Sequence, residues 1–263
     1  FIARLDWGLK GAALATGLAF LVGVLVVLPH FLGHFGRIKF VRPKGTWIEM
    51  RHAAFNGFSE FLTETSAGLI VLMFNWILIT NIGSMGVAAF TVVDYLMYFS
   101  LLIFYGVGEG ISPLISVNYG ARKPSRISAF LKMGLVSNLL IACFGTIALL
   151  YWTKDMVNIF LIEGETDITN LATTIIRIIW PMLIFAAANI TLTAYLTGMQ
   201  CAKQSALIAL TRSLVLPVLL VIIFWKFFGF MYVFYALPMS EICVFILALF
   251  LLQGRLPRKL VNN

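Results

Sequence analysis

The 263-residue sequence is 61% hydrophobic and only 11% charged, with a mean hydropathy of +0.97. This composition excludes a soluble globular protein and indicates an all-α, polytopic membrane protein. The net charge of +8 is explained by basic loops that face an anionic lipid leaflet, so binding to nucleic acid is not implied.

Apolar runs of about 20 residues, the length that crosses a bilayer, predict about seven membrane-spanning helices. They lie near residues 11–32, 55–80, 85–107, 129–152, 171–196, 206–225 and 229–252. Most of the 19 Lys and Arg residues fall in alternate connections, namely 33–54, 110–132, Lys203 with Arg212, and 253–263. Because short cytoplasmic loops collect basic residues, these connections and the C-terminus are predicted to be cytoplasmic.

The beginning of the chain predicts a fragment of a longer protein. Phe1–Gly8 has the composition of the end of a preceding span, without an initial Met or a signal peptide. A weak internal repeat agrees, since Gly8 and Gly229 each open a span with Ala seven residues on. The predicted domains are residues 1–32 (the end of the fifth helix and the sixth helix of a first lobe), 33–54 (a basic cytoplasmic linker), 55–252 (a second lobe of six helices) and 253–263 (a basic cytoplasmic tail).

Two carboxylates enter the second predicted span, at Glu60 and Glu64. An ionisable group inside the hydrocarbon costs about 2.5–3.5 kcal/mol, so it indicates an ion or substrate pathway. At about 100° per residue the two acids are about 40° apart, and Asn75 returns to within about 20° of Glu64. Glu60 is equally well explained as an interfacial residue paired with Arg51 or another linker cation, which leaves Glu64 as the sharper candidate.

The third span carries a second polar face, because Asp94, Tyr98, Tyr105 and Glu109 fall within about 60° of one another. Facing the first polar face across a cleft, it would form a partly wet cation site. Glu109 precedes Ser112-Pro113 and could instead cap the helix or pair with Arg122 or Arg126. The coupling-ion candidates are therefore Glu64, Asp94 and Glu60, and the cleft-lining candidates in these two spans are Asn75, Tyr98, Tyr105 and Glu109.

The later spans add two further cleft-lining candidates, Asn189 and Glu241. Pro181 removes a backbone donor and is predicted to kink the fifth span, in which Asn189 could donate or accept a hydrogen bond. Glu241 follows Pro238 by three residues, where a bend could free backbone carbonyls. Arg177 either neutralises an acid or extends outward to water.

No feature of the sequence indicates an enzyme, a metal site or a bound cofactor. The three cysteines are scattered in or beside apolar spans, and His30 and His34 have no third ligand nearby. Residues 106–110, Gly-Val-Gly-Glu-Gly, lack the Lys-Ser/Thr and the strand-to-helix setting of a phosphate-binding loop, which argues against ATP hydrolysis by this chain.

Residues 87–96 and 106–122 resemble the eighth helix and the following loop of the multidrug and toxic compound extrusion (MATE) family. The specific part is Pro-Leu-Ile-Ser-Val-Asn-Tyr-Gly-Ala at 113–121. Residues 8–16 are similar to that family's entry to its sixth helix, and residues 63–66, Thr-Glu-Thr-Ser, to its seventh-helix motif. The resemblance covers essentially the whole chain.

The resemblance implies two six-helix lobes related by a pseudo-twofold axis in a bacterial inner membrane, and export of cationic lipophilic compounds in exchange for H⁺ or Na⁺. It implies that Glu64 is a coupling acid, and it places Asn189 where some members have an acid and others an amide. Members that resemble this chain often rely on acids in the first and fifth helices, which the chain lacks or nearly lacks. The implied partners are the cationic substrates, the bilayer and the missing lobe.

Two alternative functions are considered. A lipid-linked oligosaccharide flippase of the same superfamily would line its cavity with several Arg and Lys side chains, whereas only Arg177 is expected inside a span. A non-transporting membrane subunit, such as an antiporter-like piece of a respiratory complex, would carry Lys in the middle of its helices, and no lysine lies there.

Overall fold

The computed structural model describes residues 7–32, 47–161, 165–253 and 256–257, with side chains described at these positions except 9, 12, 32, 49 and 52–64. The chain divides into two units, Phe1–Ala54 and Phe55–Asn263. Within the described ranges the secondary structure is helical and contains no strand. The all-α prediction is confirmed.

Ten α-helices are present in these ranges. They are Gly8–Leu32 (α1), Trp47–Asn81 (α2), Ser84–Gly120 (α3), Pro124–Tyr151 (α4), Thr153–Asn158 (α5), Thr166–Ile179 (α6), Pro181–Gly198 (α7), Ala202–Leu210 (α8), Leu216–Phe228 (α9) and Ala236–Leu252 (α10). A π-helical turn, Thr211–Val215, joins α8 to α9, and a 3₁₀ segment, Phe230–Tyr235, precedes α10.

Every predicted span coincides with helix in the structure. Six helical stretches of the described chain are long and apolar enough to cross a membrane, and the apolar part of α2, Thr65–Asn81, covers the remaining predicted span. The α2 helix begins at Trp47, inside the segment predicted to be a linker. In the first unit, none of the Ala13–Phe31 stretch is buried, and it is apolar all round, as expected of a helix whose neighbours are lipid or protein.

Proline divides the fifth span as predicted. The α6 helix ends at Ile179 and α7 begins at Pro181, with Trp180 between them. Because proline has no amide hydrogen, it cannot continue the helical hydrogen bonds at this point. The α7 helix then runs through the interior of the second unit, where residues 186–192 are all buried against α3, α4 and α10.

Close contacts between α7 and its neighbours depend on glycine. A Cβ atom added at Gly198 would lie 2.8 Å from the Ser112 carbonyl oxygen, and one added at Gly134 would lie 3.2 Å from Cγ2 of Thr191. Lipid tails are as apolar as the side chains, so the hydrophobic effect does not hold helices together inside a membrane. Small residues instead let the helix backbones approach closely and gain van der Waals contact. The α3, α4 and α7 helices therefore form the tightly packed support of the site.

Two apolar clusters fill the second unit on either side of this support. One is centred on stacked aromatic rings, with the Phe74 and Phe90 centroids 4.6 Å apart and the Phe74 and Phe234 centroids 5.8 Å apart. The other surrounds the fully buried Tyr195 and Ile115. The helices that carry polar side chains are thus held rigidly by packing.

Candidate functional site

The polar face of α3 lies mainly on the surface of the second unit. Tyr98 is 57% exposed, Tyr105 is 41% exposed and Glu109 is exposed, whereas Asp94 is half-buried. An acid turned towards lipid is costly, so a face with two acids is expected to meet water or protein. This face is the surface on which a solute pathway can form.

Asp94 is the exceptional acid on this face. It lies ten residues after the start of α3, and within the described part of the chain it makes no hydrogen bond or ion pair. Glu109 likewise has no ion pair there, and neither Arg122 nor Arg126 is its partner. An unpaired, half-buried carboxylate in an apolar helix is able to accept a proton or a cation.

The predicted candidates on α2 are described only in part. Glu60 and Glu64 lie in the helix, but their side chains are outside the described residues. Asn75 is half-buried, and its Oδ1 is a buried oxygen without a hydrogen-bond partner in the described structure. Whether the acids of α2 confront Asp94 stays a prediction.

The second polar centre is a buried charge pair between the last two membrane-spanning stretches. Arg212 Nε donates to Glu241 Oε1 at 2.8 Å, and the side chains are 13% and 5% exposed. The other carboxylate oxygen, Oε2, accepts from Asn189 Nδ2 at 2.7 Å, and the same amide lies 2.9 Å from the Glu241 backbone carbonyl. The carboxylate is therefore held from two sides.

Arg212 also reaches the polar face of α3. Its Nη1 donates to the Tyr105 hydroxyl at 2.8 Å, and its Cζ lies 5.8 Å from the centroid of the Tyr105 ring. A continuous set of hydrogen bonds thus runs from Asn189 through Glu241 and Arg212 to Tyr105. We call these four side chains the charge-pair cluster.

Local backbone structure places the two charges. Arg212 lies in the π-helical turn, where the Leu216 amide donates to the Thr211 carbonyl, five residues earlier. Such wide turns are frequent at functional sites, because the extra residue shifts the direction of the side chains. Glu241 lies in the second turn of α10, and Pro238 lies in its first turn, where the missing amide hydrogen is tolerated.

The amide at Asn189 is explained by its neighbour. Asn189 is fully buried, and its Nδ2 group supplies a donor to the Glu241 carboxylate. An acid at this position would bring a second carboxylate to the same place, which is unfavourable unless one of the two is protonated. Asn189 Oδ1 has no hydrogen-bond partner among the described residues.

The prediction that Arg212 lies in a connection between spans is wrong. Arg212 lies ten residues into the apolar stretch Ala202–Phe228, and it is the partner of Glu241. The pair could have been predicted from the presence of opposite charges inside two successive apolar runs. Arg177, which was expected to be the intramembrane arginine, is exposed in the last turn of α6 and takes no part in the cluster. Its exposure agrees with the alternative that its side chain extends outward to water.

The structure therefore brings together three of the predicted cleft residues, Tyr105, Asn189 and Glu241, around an arginine that sequence reasoning missed. It does not bring Asp94, Tyr98 or Glu109 into this cluster. A further buried polar contact, also missed, links three helices: Asn138 Nδ2 lies 2.9 Å from Thr191 Oγ1 and 3.2 Å from the Phe104 carbonyl oxygen.

The fold and these polar centres define a polytopic α-helical membrane protein with intramembrane charged groups. The family model MatE matches residues 58–223, more than half of the chain, and the chain belongs to this family. The family resemblance stated from residues 87–122 is thereby confirmed.

Curated relatives have names that denote drug export. The chain is 26% identical over 260 residues to the multidrug export protein MepA of Staphylococcus aureus strain MSSA476, an alignment that covers 95% of this chain and 56% of the relative. It is 25% identical over 260 residues to MepA of Staphylococcus saprophyticus, with the same coverage. The chain spans about half the length of the curated relatives it matches.

Solved structures share the fold. An outward-facing multidrug resistance MATE family transporter of the MOP superfamily aligns with a TM-score of 0.83 and 18% identity, over 100% of this chain and 59% of that one. A MOP superfamily transporter from Pyrococcus furiosus, described by the reverse polarity of its binding pocket, gives a TM-score of 0.82 at 18% identity, also over 100% and 59%.

Proposed function

We propose that this chain forms part of a cation-coupled exporter of lipophilic organic cations in a bacterial cytoplasmic membrane. The observation that carries the proposal is Asp94, a half-buried acid in an apolar helix without a partner in the described structure. Family membership and the drug-export names of the relatives support it. The coupling ion is H⁺ or Na⁺, no bound cofactor is required, and a complementary lobe is the proposed protein partner.

In the proposed mechanism the coupling ion and the substrate compete for the same carboxylates. Occupancy of Asp94, and of Glu64 on α2, by H⁺ or Na⁺ favours one orientation of the transporter, and substrate binding favours the other. A ligand shifts such an equilibrium only through its different affinity for the two states. Asp94 meets this requirement because no fixed cation of the described structure neutralises it.

Glu241 has a different role in this proposal. Its carboxylate is already compensated by Arg212 and hydrogen-bonded to Asn189. Both carboxylate oxygens are thus already engaged by fixed donors of the protein. Glu241 therefore serves to orient Arg212 and Tyr105, and Glu60 is assigned to the interfacial end of α2 with a secondary coupling role.

The charge-pair cluster also bears on the flippase alternative. An arginine inside the membrane is a feature of a pyrophosphate-binding cavity, but the Arg212 charge is neutralised by Glu241 at 2.8 Å. A multiply charged anion requires uncompensated positive charge. The cluster is neutral overall and thus favours export of organic cations over lipid-linked pyrophosphate.

Everted membrane vesicles test the proposal. The complete gene, as it stands in the genome, is expressed in a host bacterium that lacks its own major efflux pumps. Vesicles from this host receive a pH gradient at constant Na⁺ or a Na⁺ gradient at constant pH. Addition of tetraphenylphosphonium is expected to dissipate one of the two gradients. Vesicles in which neither gradient responds, at verified expression, would contradict coupled export.

Asp94→Asn is the informative variant in this assay. It removes the charge at nearly constant volume and is expected to reduce cation-driven dissipation at least tenfold, while transport of a neutral substrate falls less. Asp167→Asn, an exposed acid in the first turn of α6, is the matched control and should behave as wild type. Equal losses of cationic and neutral substrates in Asp94→Asn would argue against a charge role.

A further inference from the structure

The Tyr105 hydroxyl is oriented by its arginine neighbour. A guanidinium has five donors and no acceptor, so in the 2.8 Å contact with Arg212 Nη1 the phenolic oxygen must accept. The hydroxyl hydrogen of Tyr105 is therefore available to another group. No side chain or backbone atom of the described structure accepts it.

The arginine that orients Tyr105 is itself fixed and neutralised. Arg212 Nε is held by Glu241 Oε1, and Glu241 Oε2 is held by Asn189. The hydrogen bond that the Tyr105 hydroxyl accepts from Arg212 polarises this hydroxyl and strengthens it as a donor. Because the pair carries no net charge, the partner best suited to the Tyr105 hydroxyl is a neutral acceptor and not an anion.

The hydroxyl lies on the face of α3 that also carries Asp94 and Glu109. Tyr105 is 41% exposed, so a solute on this face can reach it. Glu109 is about one helical turn from Tyr105, so a lipophilic cation attracted by Glu109 would bring its remaining atoms into contact with the tyrosine. The geometry thus combines an acid for the positive charge with a directed donor for a second group.

We propose that Tyr105 is the hydrogen-bond donor of a substrate subsite that takes a carbonyl or ether oxygen of a lipophilic cation. This subsite rests on the proposed export of organic cations and specifies which of them bind more tightly. Compounds that carry a neutral acceptor at a suitable distance from the charge bind better than equally large compounds without one. Glu241 and Asn189 are positioning residues, because they act through Arg212.

Tyr98 provides a matched control on the same helix. It lies seven residues before Tyr105, which places it within about 20° on the helix surface. It is 57% exposed and has no hydrogen bond within the described structure, so its hydroxyl is not oriented. Tyr98→Phe and Tyr105→Phe remove the same atom from the same face, and only the second removes a directed donor.

The test uses the complete product of the gene in lipid nanodiscs and two phosphonium probes. They are (4-acetylphenyl)triphenylphosphonium and (4-isopropylphenyl)triphenylphosphonium, in which a methyl group replaces the ketone oxygen. A neutral hydrogen bond predicts that wild type binds the acetyl probe about 3- to 10-fold more tightly. Tyr105→Phe should abolish this preference without weakening the isopropyl probe, and Tyr98→Phe should retain it.

The outcomes separate the subsite from the proposed function. Wild-type protein that binds neither probe would overturn the export of organic cations and the subsite together. Wild-type binding with equal losses of both probes in Tyr105→Phe would overturn the subsite alone. A carboxylate-bearing analogue that binds more tightly than the acetyl probe would overturn the assignment of a neutral acceptor.

Discussion

The charge pair between Arg212 and Glu241 gives a quantitative prediction for stability. At a nitrogen to oxygen distance of 2.8 Å and an effective dielectric constant of about 20, the attraction between the unit charges is about 6 kcal/mol before desolvation is subtracted. The side chains are only 13% and 5% exposed, so solvent screens the pair weakly. Removal of one partner leaves the other charge buried and is expected to cost about 3–5 kcal/mol.

Glu241→Gln and Arg212→Gln are therefore each expected to destabilise the protein strongly. The double variant removes both charges and leaves at position 241 an isosteric amide that can accept from Asn189 Nδ2. It should be more stable than either single variant, with a coupling energy of about 2–3 kcal/mol. The measurement is unfolding of purified protein in mixed micelles by titration with dodecyl sulfate.

Two exposed residues provide the controls for this cycle. Arg177→Gln and Glu109→Gln remove the same charges from exposed positions that have no ion pair in the described structure, and each should change stability by less than about 0.5 kcal/mol. If the effects of Glu241→Gln and Arg212→Gln are additive in the double variant, the two side chains are not coupled and the argument is refuted.

The remaining predictions concern coupling and packing. Glu64→Gln is expected to abolish drug resistance at undiminished membrane expression, and retained resistance would refute its assignment as a coupling acid. Gly198→Val should lower the free energy of unfolding by about 1–3 kcal/mol, because its Cβ would lie 2.8 Å from the Ser112 carbonyl oxygen. Gly145→Val is the control and should unfold at the same denaturant concentration as wild type, because no atom lies within 4 Å of an added Cβ. Asn138→Asp should lower the unfolding midpoint more than Asn138→Leu. It replaces the amide donor by a carboxylate oxygen, which would face the Thr191 hydroxyl oxygen and the Phe104 carbonyl oxygen.

The sequence was sufficient to predict the helices and several of their interruptions. Apolar runs locate the spans because every backbone group in the hydrocarbon must be satisfied within a helix. Pro181 marks the break between α6 and α7 because its missing amide hydrogen has a purely local effect. The common face of Tyr98 and Tyr105 follows from helical phase alone, since both are exposed on one uninterrupted helix.

The charge-pair cluster could not be predicted in the same way. Its members are separated by 107 residues between Tyr105 and Arg212 and by 52 between Asn189 and Glu241, so the contacts depend on the tertiary packing of α3, α7 and α10. The π-helical turn that carries Arg212 has no residue signal comparable to proline. Basic residues near span ends usually indicate a cytoplasmic connection, and this rule assigned Arg212 to a connection instead of to the helical stretch that carries it.

The contrast between Asp94 and Glu241 supports the proposal that the two acids have separate tasks. Glu241 has a fixed counter-charge and an amide donor, and its burial is tolerated because both of its oxygens are satisfied. Asp94 has neither in the described structure, and we therefore propose it as the acid that binds the exchanged ion. In this proposal, the environments of the two carboxylates distinguish the acid that positions neighbouring groups from the acid that exchanges an ion.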